Sequence, residues 1–187
     1  FLDDYDVTNL KLKDLRSYVA LVPQEGYLFT ETLEENIRYG KPEASIGKVE
    51  KSAFEARMTD DIKGFPDGFK TLVGERGITL SGGQRQRTAL SRALLVDSKI
   101  IVLDDALASV DNKTASAILR SIRNQFDKTV IMISHQLSAA AACDRILVMN
   151  NGKIIQEGTH QNLISTTGLY KSMWEREKAK EMIQSED

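Results

Sequence analysis

The feature that most constrains this 187-residue chain is a short apolar run, residues 100–103 (Ile-Ile-Val-Leu), which leads directly into Asp104 and Asp105. Such a run predicts a strand buried on both faces, as in a parallel sheet. In α/β sheets, ligands bind at the carboxyl ends of the strands, where these two carboxylates lie. Carboxylates in that position can hold Mg²⁺ beside phosphate groups. The run therefore predicts an α/β fold with a candidate phosphate site at its carboxyl edge.

A second segment, Leu-Ser-Gly-Gly-Gln at residues 80–84, precedes a predicted helix over residues 84–95. Small residues before a helix leave backbone N–H groups and the positive end of the helix dipole available to a phosphate. Taken alone, Ser-Gly-Gly is usually a turn, and Asp-Asp after a strand is usually a solvated turn. Both occur here in order, and Ser109-Val110-Asp111 follows them. That combination favours a nucleotide site.

These segments resemble the ATP-binding domain of ABC transporters of the exporter type. Residues 80–84 are similar to the family signature, residues 100–104 to its Walker B strand, and residues 109–111 to its D-loop. The resemblance covers essentially the whole chain. It implies a P-loop NTPase (RecA-like) α/β core with a mostly parallel sheet and an inserted helical subdomain. The expected core is residues 1–24 and 89–172, the helical subdomain is 25–88, and 173–187 form a charged, solvated helical tail.

The resemblance also implies ATP and Mg²⁺ as cofactors and assigns roles to single residues. The implied site residues are Asp105, His135 and Gln24 for catalysis; Ser81, Gly82, Gly83, Gln84 and Asp111 for nucleotide binding; and Asp104 and Gln24 for the metal. Gln24 follows a predicted strand over residues 18–22 and matches the family's Q-loop. A lone histidine at a strand end is more often structural, but His135 resembles the switch histidine that contacts the γ-phosphate.

The partners implied are a second nucleotide-binding domain, in a heterodimer or a homodimer clamped head-to-tail around two Mg-ATP molecules, and the coupling helices of a transmembrane domain. Gly-Glu-Arg-Gly at residues 74–77 and Glu-Gly-Thr-His at 157–160 are similar to exporters. The first motif is expected to contact the coupling helices, whereas His160 is expected to be structural. The implied location is the cytoplasmic face of a membrane.

Further elements follow from periodicity and turn residues. Apolar spacing predicts helices over residues 46–58 and 113–126. Residues 129–133 predict a buried strand, and residues 146–155 predict a hairpin around Asn151-Gly152, a pair that favours a turn with positive φ.

The phosphate-binding pattern G-x-x-x-x-G-K-[ST], the family's Walker A loop, does not occur in the chain. The family places this loop upstream of the position that Phe1 occupies. We therefore expect the chain to be the later part of a nucleotide-binding domain. On its own it should be weakly stable and have negligible affinity for ATP.

Asp105 also departs from the family pattern, in which Glu follows the Walker B aspartate and orients the attacking water. Asp is shorter by about 1.5 Å, one carbon–carbon bond. Misplacement by ~1 Å can cost on the order of 10²-fold in rate. The hypothesis is a heterodimeric exporter in which this chain's own site is slow, while its intact signature serves the partner's site.

Composition narrows the alternatives. The net charge is −2, with 28% charged residues, and basic residues are interspersed with acidic ones, so nothing indicates a nucleic-acid surface. A single cysteine excludes an internal disulfide framework.

Three functions remain: the ATPase half of an exporter, a soluble ABC protein acting on DNA or ribosomes, and a non-catalytic ABC module that dimerises without turnover. The second would require coiled-coil insertions or a basic surface.

Overall fold

The computed structural model describes residues 1–74, 78–125 and 128–184. The chain divides into two compact units, residues 1–133 and 134–187. The described elements of the first unit are the helices α1 (Leu12–Tyr18), α2 (Leu33–Arg38), α3 (Ile46–Glu55), α4 (Thr59–Gly64), α5 (Gly82–Leu95) and α6 (Asn112–Gln125), and the strands β1 (Val19–Val22), β2 (Ile100–Asp104) and β3 (Thr129–Ile133).

The three strands of the first unit form a parallel sheet in the order β1-β2-β3. Val22 pairs with Leu103, and Asp104 pairs with Ile133, so all three strands end at one edge. The predicted α/β fold with a parallel sheet is confirmed. The predicted strands over residues 18–22 and 129–133 are found within one residue of their expected bounds. The predicted burial of residues 129–133 is wrong, because every residue of β3 is exposed or half-buried.

The two faces of this sheet differ in burial. Ala20, Val22, Ile101 and Leu103 lie in the core of the unit. On the opposite face the apolar side chains are partly or largely exposed, as in Leu21 (58%), Ile131 (50%) and Ile133 (52%). The prediction that residues 100–103 are buried on both faces is therefore wrong, since Ile100 and Val102 are only half-buried. An all-apolar run cannot separate burial on one face from burial on two.

Helix α5 is central to the first unit and packs against α2, α3 and β1. It begins at Gly82, two residues before the predicted start, because Ser81 forms a capping box with Gln84. The Gln84 N–H donates to Ser81 Oγ over 3.2 Å, and the Ser81 N–H donates to Gln84 Oε1 over 2.8 Å. These bonds fix the start of the helix whose first turn carries the signature.

The second unit contains α7 (Leu137–Ala140), β4 (Ile146–Asn150), β5 (Lys153–Gly158), α8 (His160–Ser165) and α9 (Leu169–Gln184). Strands β4 and β5 pair antiparallel. Asn151 (φ 48°) and Gly152 (φ 73°) form the turn between them, which confirms the predicted hairpin. His160 Nδ1 lies 2.9 Å from the hydroxyl of the buried Tyr170, the structural contact expected of this histidine.

Helix α9 begins at Leu169, before the predicted tail, and one face of its first half is packed and not solvated as predicted. Met173 and Trp174 pack against an apolar cluster that includes Leu137, Ile146 and Tyr170. Positions 170, 173 and 174 follow helical spacing and so form one apolar face. Within the described ranges, no helix has the length and hydrophobicity that a membrane span requires.

Candidate functional site

The carboxyl edge of the parallel sheet carries three of the predicted site residues. Gln24 is exposed, two residues after β1 ends, while Asp104 ends β2 and Asp105 follows it, both half-buried. Because β1 and β2 are parallel and in register to Val22 and Leu103, these residues emerge at the same edge. No hydrogen bond or ion pair joins their side chains among the described residues. The polar atoms of this edge are thus available to a ligand.

Asp105 adopts a left-handed backbone conformation with φ of 47°. Its N–H donates to Ile133 O over 2.9 Å, and its carbonyl accepts from the Ala108 N–H over 3.1 Å. Aspartate and asparagine tolerate this conformation better than most residues. The backbone therefore holds Asp105 between β3 and the turn after β2, a constraint that the sequence did not reveal.

The signature forms the N-terminus of α5, a helix of 14 residues. Neither the Gly82 N–H nor the Gly83 N–H has an acceptor among the described residues. Both lie at the positive end of the helix dipole, where anions are favoured. Ser81 is exposed beside them. This arrangement has the donors and the field that a phosphate group requires.

The signature packs closely against the loop after β2, here called the β2 loop (residues 105–111). A Cβ added at Gly83 would lie 2.8 Å from Ser109 O, and one at Gly82 would lie 3.2 Å from the Ser109 side chain. Gln86, which is 7% exposed, accepts the Ser109 N–H at its Oε1 over 2.8 Å. The structure therefore joins the predicted signature to the predicted D-loop.

Sequence reasoning missed the residues that hold this junction. Besides Gln86, Arg85 donates to Leu80 O over 2.6 Å, and Asp61 accepts from Gln84 Nε2 and from Arg87, each over 2.9 Å. The Gln84 side chain is thus occupied by Ser81 and Asp61. Helical spacing could have indicated Gln86, which lies three and four positions beyond the two glycines. Nothing in the local sequence indicates Asp61.

Asp111 caps the start of α6. Its carboxylate accepts the Thr114 N–H over 2.9 Å, and this hydrogen bond is the main cause that lowers the pKa of Asp111 below its usual range. The side chain is exposed. The structure thus gives Asp111 a local role in addition to the nucleotide role predicted for it.

His135 belongs to the second unit and follows the end of β3 by two residues. Its side chain is exposed. The next residue, Gln136, precedes α7, and the Gln136 N–H donates to Ser134 Oγ over 3.0 Å. Of the predicted Gly-Glu-Arg-Gly motif, only Gly74 is described, with φ of 103°; residues 75–77 lie outside the described residues.

The carboxyl edge offers Mg²⁺ a small number of protein oxygens and not a closed cage of ligands. No group of three His, Cys, Asp or Glu side chains suited to a metal occurs in the described ranges. Mg²⁺ in phosphate-transfer sites is typically held by one or two protein oxygens together with substrate phosphates, not by a closed protein cage. Asp104 and Gln24 supply oxygens of this kind.

An aromatic surface lies elsewhere on the first unit. Tyr27 (70% exposed) and Tyr39 (62% exposed) flank Phe29, and Phe29, Tyr39 and Asn36 line an open pocket of about 410 Å³. Arg92 supports it from α5: the guanidinium lies 5.7 Å and 5.4 Å from the ring centroids of Phe29 and Tyr39. Buried Asn36 accepts the Phe29 N–H over 2.8 Å. We call these residues the aromatic pocket.

Comparison with protein families matches residues 1–108 to the family described as "ABC transporter". The match covers more than half of the 187 residues. The chain belongs to the ABC transporter family. It is an ATP-binding domain of that family, with the P-loop NTPase type of α/β fold, and the similar proteins include ABC exporters.

Among curated ABC transporters, the chain is 42% identical to the probable multidrug resistance ABC transporter ATP-binding/permease protein YheI of Bacillus subtilis, over 92% of this chain and 30% of that protein. It is 43% identical to the multidrug resistance-like ATP-binding protein MdlA of Buchnera aphidicola, over 94% of this chain and 31% of that protein. A solved bacterial Atm1-family ABC exporter with ATP bound superimposes with a TM-score of 0.89 at 38% identity, over 95% of this chain and 31% of that chain. The chain thus spans less than a third of the length of these ABC proteins.

Proposed function

We propose that this chain is the ATP-hydrolysing part of an ABC exporter, in which ATP-driven dimerisation is coupled to export of a substrate. The observation that carries the proposal is the start of α5, where Gly83 packs on Ser109 and the Gly82 and Gly83 N–H groups have no acceptor among the described residues. Membership of the ABC transporter family supports it. Catalysis would rest on positioning and on stabilisation of phosphoryl charge.

In this proposal Asp104, Gln24 and Asp105 at the carboxyl edge, and His135 of the second unit, have separate tasks. Asp104 and Gln24 hold Mg²⁺, which supplies positive charge to the phosphates of ATP. Asp105 orients the attacking water, and His135 contacts the γ-phosphate. The half-buried position of Asp104 at the end of a parallel strand supports this assignment.

The signature serves a second nucleotide-binding domain. Ser81, Gly82 and Gly83 bind the γ-phosphate of the ATP that the partner domain holds, while Gln84 fixes the turn and Asp111 links the two sites. The close packing of the signature on the β2 loop supports such a link, since movement of either segment must move the other.

The aromatic pocket is our candidate for the contact with the transmembrane domain. Exposed tyrosines around a concave surface are typical of the centres of protein interfaces. Tyr27 and Tyr39 meet that description, and Arg92 connects the pocket directly to α5. A transmembrane partner would place this chain at the cytoplasmic face of a membrane.

A second candidate is a non-catalytic ABC module that dimerises without turning over ATP. One observation favours it: Asp105 stands where the family has Glu. In a heterodimeric exporter, the same residue would make this chain's own site the slow one.

The experiment that separates these functions measures ATP hydrolysis by the full polypeptide that carries this chain, purified without other subunits. The variants are Asp105→Glu, which supplies the longer carboxylate, and Asp105→Asn, which keeps the size and the tolerance of positive φ but removes the charge. If Asp105 limits its own site, Glu raises kcat by about 10- to 100-fold, and Asn abolishes the remaining rate.

Equal and substantial rates for the protein and its Asp105→Glu variant would show that aspartate positions water adequately, and the slow-site hypothesis would be lost. No hydrolysis by either protein, with or without a second ABC subunit, would favour the non-catalytic module. A Tyr39→Ala variant that hydrolyses ATP normally but no longer transports would support the aromatic pocket as the transmembrane contact.

A further inference from the structure

The last described helix, α9, reaches the segment that contains His135. Tyr170, Met173 and Trp174 hold one face of α9 in the apolar cluster of the second unit. Glu177 continues that face at the spacing of the helical repeat. The buried face of α9 thus ends in a carboxylate, at the side where α9 contacts α7.

Glu177 accepts two consecutive backbone N–H groups at the start of α7. The Leu137 N–H donates to Glu177 Oε2 and the Ser138 N–H donates to Glu177 Oε1, each over 3.3 Å. These N–H groups belong to the first turn of a helix, where intrahelical acceptors are lacking. A carboxylate there is favoured both by the hydrogen bonds and by the helix dipole.

Glu177 supplies a distant cap to α7, and the sequence next to the helix supplies none. Helix α7 has four residues, and the Gln136 side chain before it makes no capping hydrogen bond in the described part of the chain. A helix of one turn is not stable by itself, since nucleation costs more than the first hydrogen bond returns. The backbone around His135 is therefore held by Ser134, whose hydroxyl accepts the Gln136 N–H, by Glu177, and by Leu137, which packs in the apolar cluster.

We propose that Glu177 is a positioning residue for His135: its carboxylate fixes α7 and thereby the backbone that presents the imidazole to the nucleotide. The inference rests on the role of His135 in the proposed function. It predicts that the C-terminal helix, whose residues carry no signature of ATP chemistry, sets the rate of hydrolysis.

The experiment uses the full polypeptide and a double-mutant cycle. Glu177→Ala removes both acceptors, Glu177→Gln keeps one acceptor oxygen, and Glu175→Ala is the matched control, because Glu175 is exposed on the same helix. Each change is made alone and together with His135→Ala. The measurements are kcat and KM for Mg-ATP and the amide hydrogen exchange of residues 134–140.

We expect Glu177→Ala to lower kcat by about 10- to 100-fold, the scale of a misplaced catalytic group, with little change in KM. Glu177→Gln should fall between that variant and the unchanged protein, and Glu175→Ala should match the unchanged protein. In the His135→Ala background, Glu177→Ala should have no further effect, because both changes remove the same interaction. Exchange of residues 134–140 should accelerate in Glu177→Ala.

Three results would overturn the inference. Equal losses from Glu177→Ala in both backgrounds would indicate a general structural effect. Faster exchange with unchanged kcat would show that the cap exists but does not position the histidine. An unchanged kcat in His135→Ala would remove the proposed role of His135. Hydrogen exchange of residues 134–140 in Glu177→Ala would then show separately whether Glu177 holds α7. If Glu177→Ala does not fold, Glu177→Gln gives the same comparison with a smaller effect.

Discussion

At Gly83, helix α5 approaches the β2 loop so closely that an added Cβ would lie 2.8 Å from Ser109 O, with the carbonyl carbon at 3.7 Å. Ser109 O and C are backbone atoms, and they cannot move away from an added methyl group as the end of a flexible side chain can. We expect Gly83→Ala to lower the free energy of unfolding by about 1–3 kcal/mol, the usual cost of overpacking. Chemical denaturation followed by circular dichroism measures this.

Gly47 provides the control for that substitution. It lies in α3, and an added Cβ there has no neighbour within 4 Å. Gly47→Ala should leave stability unchanged or raise it by up to about 1 kcal/mol, because alanine restricts the unfolded chain and favours the helix. A Gly83→Ala variant as stable as Gly47→Ala would show that the junction can open without cost.

Glu34 and Glu55 are both buried and should respond to pH in opposite directions. Glu34 bonds to Lys70 over 2.9 Å and also to Arg38, and the Lys70 bond chiefly lowers the pKa of Glu34. Glu55 lies 3.8 Å from Lys51, its Oε1 has no hydrogen-bond partner among the described residues, and burial raises the pKa of Glu55. Folding therefore favours the ionised form of Glu34 and disfavours the ionised form of Glu55.

The sign of each effect follows from linkage. A lowered folded pKa gives stability that is present above the unfolded value of about 4.3 and is lost as pH falls through the folded value. A raised folded pKa gives stability at low pH that is lost as pH rises from the unfolded to the folded value. Glu34→Gln should therefore weaken the protein at neutral pH and reduce its loss of stability in acid.

In the unchanged protein, ionisation of Glu55 lowers the free energy of unfolding as pH rises toward neutral. Glu55→Gln removes this effect, so the free energy of unfolding of the variant, relative to that of the unchanged protein, should rise with pH. Denaturant titrations at several pH values between acid and neutral measure both variants. Parallel pH curves for Glu55→Gln and the unchanged protein would show that Glu55 remains as ionised in the folded state as in the unfolded one.

At the level of elements, α5 and the β2 loop are joined by Gln86. Removing the Oε1 acceptor in Gln86→Ala should cost about 0.5–1.5 kcal/mol, the net value of one hydrogen bond, and should accelerate exchange of the Ser109 amide. Gln161→Ala is a suitable control, because Gln161 is exposed on α8. Unaltered Ser109 exchange in Gln86→Ala would mean that backbone packing at Gly83 alone holds the loop.

The elements themselves were largely predictable from the sequence. Apolar spacing located α3 and α6, short apolar runs located the three parallel strands, and Asn151-Gly152 located the hairpin. Helix starts were less accurate, because α5 begins where the capping box of Ser81 closes and not where the apolar face begins. Local patterns encode periodicity and turns, so these features can be recognised without tertiary information.

The connections between elements were not predictable. The Gln86–Ser109 bond joins residues 23 apart, and the bonds from Leu137 and Ser138 to Glu177 span 40 and 39 residues. The motifs identified the candidate site residues, whose roles stay predictions. The residues that hold the motifs in place, Gln86, Asp61 and Glu177, have no local pattern because their partners are set by the fold.

At the level of the whole molecule, the 187-residue chain should bind Mg-ATP poorly by itself. Its three Gly-Lys pairs lack both the preceding glycine and the following Ser or Thr of the phosphate cradle. Isothermal titration of the purified chain should show no micromolar affinity, whereas the full polypeptide should bind. Micromolar binding by the chain alone would contradict this prediction and would call for another phosphate cradle among its residues.

The exposed face of the parallel sheet has a consequence for experiments on the purified 187-residue chain. Leu21 on β1 and Ile131 and Ile133 on β3 expose hydrocarbon to water on the two outer strands of the sheet, and exposed apolar patches of this kind favour self-association. Two copies meeting through these residues would run as a dimer in size-exclusion chromatography without any nucleotide. Such a dimer should dissociate in mild detergent and form equally with or without ATP. A dimer formed through the signature should instead require ATP and persist in the detergent.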